Sequence, residues 1–464
     1  MSKILLLNPP GTRPYLRDYY CSKIAKADYL YEPTDLLILS GLLNEDHQVQ
    51  ALDCIAMGMQ TAKALEWIRN AAPDAVIFLS GAVSWHEDKK FLKELKQLCP
   101  VPLIGSGDLF LEDGDKILLK HDFVDAVLLD FTSRDLLHYL KQGAKAGPDN
   151  MIYRQGKRIV TGSIKRTIKD TFEIPLPRHD LFPHHRYRYP TVKRPPFATV
   201  LTDYGCPYHC RFCVMGKIGY KVRHVDNVLD ELEMLADMGF KEIYFNDQTF
   251  GALRERAIAM CKGMIERQFH FGWQAWSRVD LMDEELLRTM QAAGCHSMFF
   301  GVESANEKTL KAQKKGFSLE QVRRTFFLCR RLGIRTMATF IIGLPGETEA
   351  DIRRTIRFAL KLDPDYASFN LLVPRAATDI RKEALGKGWF EAGQNILDQS
   401  GTYPIMGNEY LSAARIWQLK NEAFRSFYFR STYLLRRLKQ INTLYELRHN
   451  LANGWALLTR KALS

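Results

Sequence analysis

Three cysteines at CxxxCxxC spacing, Cys206, Cys210 and Cys213, stand in the run Cys206-Pro207-Tyr208-His209-Cys210-Arg211-Phe212-Cys213, just after the apolar stretch Phe197-Ala198-Thr199-Val200-Leu201. Thiolates are soft ligands, and three of them in one short loop can hold three irons of a [4Fe–4S] cube while the fourth iron keeps no protein ligand. An iron left open in this way admits a small molecule, so the pattern points to chemistry rather than electron storage. The competing readings need partners that the sequence does not offer. Structural zinc takes four N/S ligands, commonly from two paired half-sites, whereas Cys21, Cys54, Cys99, Cys261, Cys295 and Cys329 are scattered singly. His209 completes a zinc set only on paper, because it sits between two of the ligands. Nine cysteines, an odd count in a long chain without a signal-peptide pattern, argue against a disulfide framework and for a reducing cytoplasm.

The elements that must position this loop read as two alternating series. Across 464 residues with 46% apolar content, two or three domains can each bury a core. In the first series the strand-like runs are Ile4–Asn8, Val49–Asp53, Ala75–Ser80, Pro102–Ile104 and Ala126–Leu129, and the helical patterns are Asp35–Asn44, Ala62–Ala71, Asp88–Leu98 and Arg134–Lys141. Such alternation predicts a doubly wound parallel sheet with ligands at the carboxyl ends of its strands. The loops there carry Gly81, Gly105 and Gly107, which either let backbone approach a ligand or serve as ordinary turns.

Residues 146–196 read as a hairpin around Gln155-Gly156-Lys157 followed by a Pro-rich linker. His179, His184 and His185 lie in it with no partner cluster at ligand spacing, which favours a surface or hydrogen-bonding role over a metal. The second series follows. Its strands fall near 197–204, 241–246, 271–277, 296–303, 335–342 and 366–373, with helices near 227–238, 252–267, 282–292, 318–332 and 349–361. Consecutive β/α units of this kind predict a partial (β/α)6 barrel over 197–395, with its site at the carboxyl ends of the strands.

The net charge of +12 is concentrated at the C-terminus, where ten Lys/Arg face three Asp/Glu from Glu409 onward. Aromatics and leucines at helical spacing among them, from Trp417 to Trp455, predict a helical region, 396–464. It either packs on the barrel or lies on a membrane surface, and packing is preferred. No run reaches the ~20 apolar residues of a membrane span. Nothing resembles an appended RNA-binding module, so nucleic acid is not an expected partner.

With the cysteines in place, the sequence resembles the radical S-adenosylmethionine (SAM) enzymes. Phe212 just before the last cysteine is the aromatic residue that family favours. The resemblance implies that the unligated iron chelates SAM and that one electron cleaves the sulfonium to methionine and a 5′-deoxyadenosyl radical. It also implies SAM contacts at the strand ends: Asp247 after the second strand, Ser277 and Arg278 after the third, Glu303 and Ser304 after the fourth, and Gly343, Pro345 and Gly346 after the fifth. Arg278 can pair with a carboxylate, and Glu303 can accept from hydroxyls or an ammonium.

A doubly wound domain, residues 1–145, before such a barrel is similar to the cobalamin-binding (B12) group of these enzymes. That group includes methylases of unactivated carbon and ring-forming enzymes of bacteriochlorophyll and hopanoid pathways. The group's DxHxxG motif is absent: the loop after the first strand reads Asn8-Pro9-Pro10-Gly11-Thr12-Arg13, and Asp46-His47 stands in another loop without the glycine. The resemblance therefore implies cobalamin near Gly81, Gly105 and Gly107 without a histidine ligand, or else a degenerate domain that shapes a substrate pocket. The expected function is radical methylation of a small molecule, tetrapyrrole or lipid, fed by a flavodoxin- or ferredoxin-type reductant. Radical cyclisation or rearrangement without cobalamin, and a non-catalytic iron–sulfur protein that senses SAM, are the alternatives.

Overall fold

The computed structural model describes residues 1–25, 29–163, 168–390 and 403–439, and Leu447. The chain divides into two compact units, residues 1–25 with 30–187 and residues 26–29 with 188–464.

The first unit is built on seven strands in the order Gln48–Asp53, Lys3–Asn8, Ala75–Leu79, Leu103–Ser106, Ala126–Leu128, Met151–Gln155, Arg158–Thr161. The first five in that order run parallel, and the last two are an antiparallel hairpin added to the edge. Every residue of Ala75–Leu79 is buried, as a strand covered by helices on both faces requires. The order reverses between Lys3–Asn8 and Ala75–Leu79, and a crevice at such a switch point is where doubly wound sheets take ligands. The hairpin read from sequence inside the 146–196 linker is thus part of this sheet. Helix Phe110–Lys120, strand Ile168–Phe172 and a short hairpin, Tyr15–Leu16 with Lys23–Ile24, have no counterpart in the sequence reading.

The second unit carries six parallel strands in chain order: Phe197–Val200, Glu242–Phe245, Gly272–Ser277, Cys295–Glu303, Arg335–Ile342 and Tyr366–Leu371. Helices Val225–Asp237, Arg254–Glu266, Glu284–Ala292, Leu319–Arg331 and Glu349–Leu362 alternate with them. The sheet is open, as the partial barrel predicts. Local sequence sets the helix starts: Ser318 and Gln321 form one reciprocal capping box and Thr348 and Asp351 another, each satisfying backbone N–H groups of a first helical turn.

Helix Ala413–Tyr428 closes the barrel's core with buried Ile416, Leu419, Ala423 and Phe427, and the Tyr428 hydroxyl donates to the Ala367 carbonyl. Its basic neighbours are used within the protein. Arg415 pairs with Glu349 at 2.7 Å, and Arg430 and Arg436 both bond Asp363. Of the C-terminal residues read from sequence, Glu446, Arg448, Trp455, Arg460 and Lys461 lie outside the described residues. Among the described residues no helix is long and apolar enough to cross a membrane.

Candidate functional site

The cysteine loop leaves the first barrel strand through an antiparallel pairing of Asp203–Gly205 with Tyr220–Arg223. Gly205 has φ +84° and its Cα faces the Gly219 carbonyl so closely that no Cβ fits. The Cys206 N–H then donates to that same carbonyl at 3.2 Å. Further along, the Arg211 N–H donates to the Gln313 carbonyl at 3.2 Å and the Arg211 guanidinium bonds Glu383 at 2.7 Å. Phe212 packs with Leu344, Leu372 and Ile380. Cys210 is buried, Cys206 and Cys213 are partly exposed, and all three are free thiols. Cys206 lies 3.2 Å from the Thr249 hydroxyl.

The thiols are close enough to feel one another's charge. Loss of solvent, then the charges of Cys206 and Cys210, push the Cys213 thiol up to about 12. Burial likewise raises Cys206. Left alone these groups stay protonated, and thiolates are made there only when a cation replaces the protons. Three thiols of one loop, each within reach of the others' charge, fit a soft iron–sulfur cluster.

Two buried cations flank the loop. The Arg278 guanidinium stacks on Tyr208, 3.9 Å from the ring centroid, bonds Asp280 at 2.9 and 3.0 Å and donates to the Lys315 carbonyl. Its Nη1 is buried with no protein partner. The Lys315 ammonium pairs with Glu303 Oε1 at 2.9 Å and lies 5.8 Å from the Phe212 ring centroid. Burial opposes the charge on both cations, yet Asp280 for Arg278 and Glu303 for Lys315, with the Cys210 charge acting on each, raise both above their ordinary values. The Gln313 side chain is 1% exposed, and neither its oxygen nor its nitrogen has a protein partner. Together these groups offer what SAM lacks in water-free surroundings: cations and an N–H donor for its carboxylate, and acceptors for its ammonium and hydroxyls.

Glu303 earns its place through the backbone. The ladder to the fifth strand slips between Gly301 and Glu303, and Glu303 takes φ +67°, a left-handed conformation that costs free energy in a residue with a side chain. A Cβ on Gly301 would run into the Glu303 carboxylate and come within 3.0 Å of Lys315 Nζ.

The other strand-end residues read from sequence have local work. Asp247 accepts from Thr202 N and Oγ1, both at 2.6 Å, and from Asp203 N at 3.0 Å, tying the second strand to the turn before the cysteines. Ser277 donates to the Phe250 carbonyl at 2.6 Å. Ser304 donates to Glu347 at 2.7 Å, and Glu347 in turn accepts from Leu344 N, which fixes the Gly343–Gly346 loop. Burial raises the Glu347 carboxyl to about 7. Gly343 faces Ile416, 2.7 Å from a would-be Cβ, whereas Gly346 is open and Pro345 is half-buried. The structure therefore gathers Cys206, Cys210, Cys213, Phe212, Arg278 and Glu303, adds Lys315 and Gln313, and gives Asp247, Ser277, Ser304 and Gly343 protein contacts instead.

In the first unit the glycine loops are filled by the chain itself. A Cβ at Gly81 would strike Ser22, at Gly105 the rings of Phe110 and Phe78, and at Gly107 the Ser80 carbonyl. Ser22 is held there by Asp108, which accepts from its N–H and hydroxyl at 2.7 and 2.9 Å. Arg17 of the same hairpin forms a buried pair with Asp88 at 2.6 Å and donates to Asn8 Oδ1 at 2.8 Å. The side of each glycine that would carry a Cβ is thus occupied by the chain itself. His47 precedes strand Gln48–Asp53, at the amino end of the sheet, opposite the ligand crevice.

Residues 200–359 match the family model of the radical SAM superfamily. An uncharacterized methyltransferase of Pyrococcus horikoshii is 28% identical over 87% of this chain and 89% of its own length. The anaerobic magnesium-protoporphyrin IX monomethyl ester cyclase of Rubrivivax gelatinosus is 32% identical over 39% of this chain and 33% of its own. Among solved structures, the radical SAM methyltransferase TsrM from Kitasatospora setae, with tryptophan and a SAM analogue, shares the fold at TM-score 0.66 and 20% identity over 84% of this chain and 78% of that one. The cobalamin-dependent radical SAM enzyme OxsB, with aqua-cobalamin and SAM, does so at 0.70 and 16% over 99% and 71%.

Proposed function

Residues 200–359 form a radical SAM domain, and from that premise we propose that the chain methylates an unactivated carbon of a small molecule, a tetrapyrrole or a lipid. The observation that carries the reading is the cysteine triad set beside two buried cations, one of which, Arg278, keeps a buried N–H unused by protein. When bound at Cys206, Cys210 and Cys213, a [4Fe–4S] cluster supplies the electron that cleaves the SAM sulfonium. The protein's own part is to bind and orient. Arg278 and Gln313 hold the SAM carboxylate, Glu303 accepts from its polar hydrogens, and Lys315 fixes Glu303 while balancing the charge of the thiolates. Phe212 and its apolar neighbours keep water from the loop.

Methylation is favoured over cyclisation by extent of likeness: it spans 89% of the Pyrococcus horikoshii methyltransferase but 33% of the Rubrivivax gelatinosus cyclase. A corrinoid is the methyl carrier that this reading requires, and it would sit in the first unit near Gly81, Gly105 and Gly107, at the carboxyl ends of the strands. The reductant is a flavodoxin or ferredoxin, and the compartment is the cytoplasm. Any lipid contact would use exposed Leu434, Leu435 and Leu438 on helix Ser431–Lys439.

Product counting tests the reading. Reduced protein given SAM and hydroxocobalamin should release S-adenosylhomocysteine alongside 5′-deoxyadenosine, since methylation consumes one SAM as methyl source and another as radical source. Release of 5′-deoxyadenosine without S-adenosylhomocysteine, with corrinoid in excess, would move the function to cyclisation or rearrangement.

A further inference from the structure

Away from the cysteine loop, the first unit gathers three side chains with metal-ligand chemistry. Glu32 stands just before helix Thr34–Asn44, and His179 and His184 lie in two short turns of the Pro-rich segment, His179–Leu181 and His184–Arg186. The side chains of Glu32 and His179 are fully buried, and that of His184 is 14% exposed. Glu32 Oε1 lies 3.1 Å from His184 Nδ1 and 3.5 Å from His179 Nδ1. All three ligand atoms fall within 4.8 Å of one another.

Hydrogen-bond roles at His184 decide what belongs between them. Its Nε2 is 2.5 Å from the His179 carbonyl oxygen. A carbonyl only accepts, so Nε2 carries the hydrogen and, in the neutral ring, Nδ1 presents a lone pair. That lone pair faces a carboxylate oxygen, which also only accepts. Two acceptors at this separation need positive charge between them. A proton on His184 and the Nδ1–H tautomer of His179 would serve the two contacts one by one, whereas one divalent cation among the three ligand atoms serves both.

The distances suit such an ion. With metal–nitrogen bonds of about 2.0–2.1 Å and a metal–oxygen bond of about 2.0–2.2 Å, neighbouring ligands of a tetrahedron lie about 3.3 Å apart. The two measured separations, 3.1 and 3.5 Å, bracket that edge. Two imidazoles and a carboxylate are a zinc donor set, and three protein ligands leave one position for water. We propose that Glu32, His179 and His184 hold a Zn²⁺-class ion that pins the Pro-rich segment to the start of helix Thr34–Asn44. His185, which is exposed, stays outside it.

The test uses the full chain, purified anaerobically with its cluster and supplied with Zn²⁺. Zinc and iron are counted per chain, and the zinc environment is read by X-ray absorption at the zinc edge. The expected result is one zinc per chain in a shell of nitrogen and oxygen only. His184→Ala and Glu32→Gln should each lower zinc retention at least about tenfold with iron unchanged, while His185→Ala leaves both metals in place. Wild-type protein that retains no zinc, a sulfur-containing shell, or full zinc retention in both ligand variants would overturn the site.

Discussion

Lys315 is 7% exposed, and among the described residues its anionic partner at bonding distance is Glu303. Removing one member of a buried ion pair strands the other charge, at a cost of about 3–5 kcal/mol. Lys315→Ala should therefore destabilise by that amount in thermal or denaturant unfolding, and combining it with Glu303→Gln should cost less than the sum of the two. Arg278→Ala removes a charge-assisted contact worth about 1.5–3 kcal/mol, so the SAM dissociation constant should rise roughly ten- to hundred-fold in equilibrium titration; an unchanged constant would give Arg278 another role. Glu347 supplies a pH signature. Burial raises its carboxyl from 4.5 to about 7, so the folded protein holds the proton more tightly than the unfolded chain and stability falls as pH rises through that window. Glu347→Gln, which stays neutral, should show a flatter melting-temperature profile between pH 5 and 7 than wild type. At this scale the sequence was readable where spacing itself is the signal: the cysteines announce themselves, and Arg278 and Glu303 follow from standing at strand ends. Lys315 was not, because it is one of four lysines, with Lys308, Lys311 and Lys314, and nothing in their spacing sets it apart. Glu32 escaped for a related reason, lying 147 positions before His179.

The cysteine loop owes its entry to one glycine. At φ +84° and with the Gly219 carbonyl against its Cα, Gly205 cannot become alanine without moving backbone. Gly205→Ala should thus lower iron content after anaerobic reconstitution with all three cysteines intact, while Gly346→Ala, strained at φ +79° but with no atom in its way, should cost stability and not iron. Gly105 is packed by Phe110 and Phe78, 2.6 and 2.9 Å from a would-be Cβ. Gly105→Val should then lower the stability of the first unit by about 1–3 kcal/mol through overpacking. Among elements, fully apolar strands such as Ala75–Leu79 were legible because burial on both faces leaves no polar positions. Helix Phe110–Lys120 was hidden by Glu112-Asp113-Gly114-Asp115, a run that mimics a loop; the helix is indeed non-helical at Asp113. The Tyr15–Ile24 hairpin was hidden because long-range bonds from Arg17 to Asn8 and Asp88 hold it, and no local periodicity records them.

Two alternating series of strands and helices fold into two units, and most of the alternation was readable, from residue 3 to about 140 and again from 197 to 373. Where one unit yields to the next was less so, since the hairpin Met151–Thr161 adds to the first sheet by antiparallel pairing at its edge and its sequence looks the same whether paired or free. The basic C-terminal helices work by packing and ion pairing. Phe427→Ala, at a position with 0% exposure, should cost about 3–5 kcal/mol without lowering iron content per folded chain. The claim on which all else depends is that the three cysteines support reductive cleavage of SAM. It is tested most directly by incubating anaerobically reconstituted, reduced protein with SAM and measuring 5′-deoxyadenosine and methionine by liquid chromatography and mass spectrometry. Both products should form in wild type and vanish in the Cys206→Ala, Cys210→Ala, Cys213→Ala triple variant; iron-loaded wild type that makes no more 5′-deoxyadenosine than the variant would contradict the account.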